Sequence, residues 1–141
     1  MSWIILTFIT AVFFGVYSFF IKMSSGHINQ IAGALILQAV ATLVGGISLL
    51  FLKFTNSPIE ISNKGVFYAI LAGLFIGLAE IATFFVFSKG ITLSTGLPII
   101  VAGSVVFGSL LGILFLKKEV LTPIHLLAML LVIIGIALLV K

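Results

Sequence analysis

Cysteine, arginine and aspartate are absent from this 141-residue chain, and its only acidic residues are Glu60, Glu80 and Glu119. Without cysteine there is no disulfide framework and no thiolate metal site. His27 and His125 have no second ligand at metal spacing, so neither a metal nor a cofactor is expected. No nucleophile–base set stands out, which argues against an enzyme, and no Asn-x-Ser/Thr sequon occurs. Charged residues of both signs make up only 7% of the chain, where a soluble domain carries about 25%.

Apolar side chains fill that space. The chain is 62% hydrophobic with a mean hydropathy of +1.48. A soluble core of this size could not hide so much apolar surface, so the solvent is lipid and the class is an all-α integral membrane protein. The seven basic residues are all lysine and give a net charge of +4. They sit singly or in one pair at segment ends, the usual flank of a membrane helix, and nucleic acid is not an expected partner. Met1-Ser2-Trp3 lacks a charged leader and no cleavage box closes the first apolar run, so that run is expected to stay as a helix.

Segments of about 17 to 25 apolar residues can span a bilayer. Five are expected in one domain over residues 1–141: 3–21, 31–52, 65–87, 97–116 and 123–140. Lys22 ends the first, and Ser24-Ser25-Gly26-His27 makes a polar turn. Asn56-Ser57-Pro58 marks the longer connector after the second, and Ser62 or Asn63 can cap the third. Pro98 is expected in the first turn of the fourth, where its missing N–H costs nothing. Thr122-Pro123 reads as cap and first residue of the last. An odd number of spans puts Lys53, Lys64, Lys117 and Lys118 on the N-terminal side, and Lys22, Lys89 and Lys141 on the other. Lysine bias sets orientation, and here it is nearly balanced. Insertion in both orientations and a slight preference for one therefore both remain open.

Helices in lipid associate through small residues and a few polar contacts. Helix three carries Ala69, Gly73 and Gly77 at spacing four, and the same face continues to Glu80, Phe84 and Phe87. Helix four repeats the device with Ser104, Gly108 and Gly112. Helix two offers Ala34, Gln38, Ala41, Gly45 and Ser48, and helix one Thr7, Ala11, Gly15, Ser18 and Lys22. Simple packing accounts for any one of these ladders. Four of them together with Glu80 and Gln38 suggest a shared, mildly polar interior. Helix five is almost purely aliphatic and suits lipid or a dimer contact.

Glu80 is the anomaly. A charge at the bilayer centre costs about 2.5 to 3.5 kcal/mol even on the lenient insertion scale, so something must neutralise, pair or hydrate it. At fifteen residues into helix three it lies about 22 Å along the axis, off the midplane and toward the side where Lys22 ends helix one, from which the long lysine stem can reach inward. One account is a structural Glu80–Lys22 pair, or a carboxyl kept neutral by burial. The other is a carboxylate that exchanges a proton for a cationic substrate. Aromatic residues at the same depth, including Phe14, Tyr17 and Phe84, would wall a site for an organic cation.

Ala11-Val12-Phe13-Phe14-Gly15, running to Lys22, resembles the aromatic–glycine and lysine signature that opens repeats of the drug/metabolite transporter superfamily. Leu114-Phe115-Leu116-Lys117-Lys118-Glu119-Val120-Leu121-Thr122, with Gly135 in the helix beyond, resembles the close of an EamA domain. Lys118 stands where the family has glycine, and Val106 where it often has proline. The resemblance covers nearly the whole chain as one five-helix repeat and implies a multi-pass transporter, expected in a prokaryotic plasma membrane. Family members commonly pair two such repeats in opposite orientation. That implies a homodimer of this chain, antiparallel if both orientations insert. Glu119 falls on a family motif and is expected to be structural or to cap helix five.

The reading is thus a secondary transporter for a small organic solute, cationic and proton-coupled. Glu80 is its proton or cation site, Gln38 a polar contact, Lys22 a gate or counter-ion, and Phe14, Tyr17 and Phe84 the wall. The alternatives are a permease for a neutral amino acid or sugar, and a non-transporting partner or holin-like assembly protein.

Overall fold

A computed structural model describes residues 2–116 and 122–140. Glu119, Lys117, Lys118 and Lys141, to which the sequence assigns capping and flanking places, lie outside the described residues. Five helices follow one another: α1 (Trp3–Ser24), α2 (Gln30–Phe54), α3 (Asn63–Ser88), α4 (Leu93–Phe115) and α5 (Pro123–Leu139). Helix is the structure such a composition requires, because a spanning segment in lipid must satisfy its backbone groups internally. The first four are long and apolar enough to cross a membrane. The 17 residues of α5 reach about 25 Å, short of the roughly 30 Å hydrocarbon core.

The helix ends show how each segment stops. Gly26 and Gly90 take positive φ values of 96° and 86° after α1 and α3, a conformation that glycine adopts without a side-chain clash. At the end of α1, Ser24 Oγ donates to the Ile21 carbonyl at 3.1 Å and Ser25 Oγ to that of Lys22 at 2.9 Å. The Lys22 carbonyl is among those a helix end leaves open, whereas that of Ile21 also accepts from the Ser25 amide at 2.8 Å. Asn29 Oδ1 caps α2, accepting from the amides of Ile31 and Ala32 at 3.0 and 3.2 Å. Ser62, not Asn63, caps α3, through a 3.1 Å bond from the Gly65 amide. Thr122 precedes Pro123 at the start of α5 and ties its hydroxyl to His125 Nδ1 at 2.7 Å, which gives that histidine a structural partner.

Two expected boundaries move: α1 runs on to Ser24, so Lys22 lies in its last turn rather than at its end. α4 begins at Leu93, four residues before the expected start, so Pro98 lies inside the helix and beyond its first turn. The amides of Thr95 and Gly96 bond to the Thr92 carbonyl, and the Thr92 hydroxyl reaches Ser94 and Thr95 at 3.1 and 3.0 Å. This threonine-rich start nucleates a turn ahead of the proline. Pro98 leaves the Ser94 carbonyl without its usual i+4 donor.

The chain divides into two compact units, the first ending at Gly90 and the second starting at Ile91. In the first, α3 packs against both α1 and α2. Its buried residues are Ser18 and Ile21 of α1, Gly33 and Ala34 of α2, and Glu80, Phe84 and Phe87 of α3. All of them lie late in α1 and α3 or early in α2, so the packed core sits at one end of the three helices. Toward the other end, residues 2–14, 39–56 and 58–76 are exposed throughout. In the second unit α4 packs against α5.

Candidate solute-binding site

Among the described residues Glu80 is the one charged residue with a buried side chain, with 6% of its surface exposed. It stands eight residues before the last residue of α3, about 12 Å along the helix axis. Spacing brings Glu80, Phe84 and Phe87 to one face, and that face is the buried one. Glu80 forms part of a groove of about 350 Å³ together with Thr10, Phe13, Phe14, Tyr17, Leu37 and Ile76. Three helices therefore contribute to the groove. Tyr17 shares this groove with Glu80 and meets Phe14 edge to face with ring centres 5.9 Å apart. Glu80 Oε2 is buried without a hydrogen-bond partner.

Phe84 borders a second groove, of about 440 Å³, and Tyr17 and Leu37 line both. Phe84 is held tightly. It is only 3% exposed, and the Cδ1–Cε1–Cζ edge of its ring lies against Gly33 of α2. A Cβ built on that glycine would stand 2.6 Å from Phe84 Cε1 and 2.9 Å from Cζ. Carbon atoms in ordinary contact are about 3.5 to 4.0 Å apart, so only glycine allows this approach. Gly33 escapes a sequence reading that tracks the Ala34–Gln38–Ala41 stripe, because it stands one position off that stripe. Its one visible signal is a glycine beside an alanine in the first turns of a helix.

Lys22 does not pair with Glu80. Its Nζ donates to the Phe87 carbonyl at 3.3 Å and sits 5.8 Å from the centre of the Phe87 ring. The amine thus serves the C-terminal end of α3, where partial negative charge from the carbonyls attracts a cation. Among the described residues no cation accompanies the Glu80 carboxylate.

Gln38 is also apart from Glu80. It lies in another groove of the same unit, with Gly73 and Gly77 of α3, where its Oε1 would stand 3.4 Å from a Cβ built on Gly77. The Gly73–Gly77 notch therefore receives the Gln38 side chain from α2, whereas a Cβ on Gly73 would meet nothing within 4 Å. In the second unit Gly112 is buried, and a Cβ on Gly108 would meet open space. Of the expected residues, then, Glu80, Tyr17 and Phe14 share one groove, and Phe84 lies in the adjoining one. Lys22 and Gln38 take other places. Thr10, Leu37 and Ile76 are additions that only the packing of three helices reveals.

No curated protein and no solved structure matches the chain. The model of the EamA-like transporter family matches residues 1–141. A multi-pass helical chain with a walled groove fits what that family does, and the protein belongs to the EamA-like family of small-solute membrane transporters.

Proposed function

We propose that the chain is a secondary transporter that exchanges protons for a small organic cation at Glu80. The observation that carries this reading is the unpartnered Oε2 of a buried carboxyl in a groove with three aromatic side chains. A carboxylate in that position requires neutralisation, and a proton or a cation supplies it equally well. The faces of Phe13, Phe14 and Tyr17 attract an organic cation through their ring electrons, and their carbon framework gives it apolar contact. Because both ligands use one carboxyl, each displaces the other.

Alternating access calls for a second five-helix repeat around the same site, and inverted repeats are a recurrent plan for it. We assign that role to another copy of this chain inserted upside down. The support is the lysine distribution: Lys53, Lys64, Lys117 and Lys118 face Lys22, Lys89 and Lys141 across the sequence-derived spans, so neither orientation is strongly favoured. Packing confined to one end of α1–α3 leaves the other end free to rock.

Liposomes containing the purified protein test the exchange. Adding an organic cation outside is expected to release protons from the wild type and not from Glu80→Gln. The pH sign follows from competition. Lowering the pH protonates the carboxyl, removes its charge and weakens cation binding, and by linkage the cation weakens proton binding by the same factor. Cation-independent flux that survives Glu80→Gln would instead identify a permease for a neutral solute. Absence of flux for any solute would identify a non-transporting partner.

A further inference from the structure

Two grooves adjoin at Tyr17 and Leu37, and they differ in chemistry. The first holds the Glu80 carboxyl. The second, bordered by Phe20, Ile36, Val40 and Phe84, has Ser24 and Tyr17 as its polar residues. The Ser24 hydroxyl already donates to the Ile21 carbonyl, so the second groove is apolar in practice. No charged side chain of α2 lines either groove, and Lys22 is engaged at Phe87.

We propose that Tyr17 is the partition that sets how long a cation the site accepts: the charged head sits at Glu80, and an apolar tail must pass Tyr17 to enter the second groove. This rests on the proton–cation reading of Glu80. The walls differ in their freedom to move. Phe84 is held against Gly33 and is almost fully buried. Tyr17 is partly exposed and keeps only an edge-to-face contact with Phe14 among the aromatic pairs. Rotation of Tyr17 joins the two spaces. It also takes the ring out of the groove that holds Glu80, which leaves more room there for the cation. The substrate class implied is an elongated amphipathic ammonium ion. Each methylene that reaches the apolar groove adds about fourfold in affinity.

The test is binding of tetramethylammonium, hexyltrimethylammonium and decyltrimethylammonium to the full chain in nanodiscs, with protein-free nanodiscs to subtract partitioning. Tyr17→Ala is expected to raise the ratio of decyl to tetramethyl affinity about sixteenfold over wild type, the value of two further buried methylenes. Tyr17→Phe keeps the ring and should keep the wild-type ratio. Should Tyr17→Ala fail to fold, Tyr17→Leu reads the same ratio and is expected to raise it about threefold, which is less than one full methylene. A variant that changes all three affinities by one common factor overturns the partition, as does a Tyr17→Phe ratio shifted as far as that of Tyr17→Ala. Glu80→Gln separates the two levels. Loss of binding at every chain length supports the carboxyl as the head site, whereas undiminished binding overturns that reading and the partition with it.

Discussion

Replacing Gly33 with alanine places a methyl group where the Phe84 ring already lies. The new Cβ would stand 2.6, 2.9 and 3.0 Å from Cε1, Cζ and Cδ1, about 1 Å inside ordinary carbon contact. Overpacking of this kind costs about 1 to 3 kcal/mol. Alanine recovers about 1 kcal/mol of helix propensity, so the net loss is expected at about 1 kcal/mol. The ring has one way out. It borders the second groove beside Tyr17, and swinging there relieves the clash by filling the groove. The substitution should therefore lower stability modestly and reduce affinity for long-tailed cations more than for tetramethylammonium. A double-mutant cycle with Phe84→Ala isolates the cause. With the ring gone, Gly33→Ala should become neutral or stabilising, giving a coupling of at least about 1 kcal/mol. Reversible unfolding in mixed micelles measures it. If Gly33→Ala costs as much in the Phe84→Ala background as in the wild type, the ring contact is not what requires glycine.

Lys22→Met removes the Nζ bond to the Phe87 carbonyl while keeping most of the stem; it should cost about 1 kcal/mol by the same unfolding assay, with the proton release of Glu80 intact. Gln38→Leu alters a side chain outside the Glu80 groove, so cation affinity measured by titration is expected to stay within about twofold, well under the tenfold that 1.4 kcal/mol represents. Asn29→Ala deletes the α2 cap and should lower stability by about 1 kcal/mol, read as a fall in unfolding midpoint. Because the chain has no cysteine, a single cysteine at the exposed Asn56 reports orientation directly. Labelling by an impermeant maleimide from both sides of the membrane is expected. Labelling from one side alone would rule out the antiparallel pair.

The sequence by itself determined the lipid solvent, the helical class, the polar breaks between segments and the oddity of Glu80. Each of these follows from composition and period along one chain, because a bilayer tolerates few charges and no unpaired backbone. The resemblance drawn from Ala11–Gly15 and from Leu114–Thr122 reached the family that the whole-chain match shows. Helix periodicity also put Glu80, Phe84 and Phe87 on one face, and that face is buried. It could not say which residue of a neighbouring helix meets that face. Lys22 ends the first apolar run on the side toward which Glu80 lies, and a depth argument pairs them. The azimuth of α1 and the carbonyl at Phe87 send the amine elsewhere. Gln38 and Glu80 are both polar and lie on facing helices, yet they sit in different grooves, with Gln38 set against Gly77. Gly33 looks like any helix glycine until the Phe84 ring is laid on it. Axial position is written in the chain at 1.5 Å per residue, whereas rotation about each axis and the register between axes arise only when side chains interlock. Tertiary structure therefore decided what surrounds Glu80: an aromatic wall of Phe13, Phe14 and Tyr17 and, among the described residues, no cation.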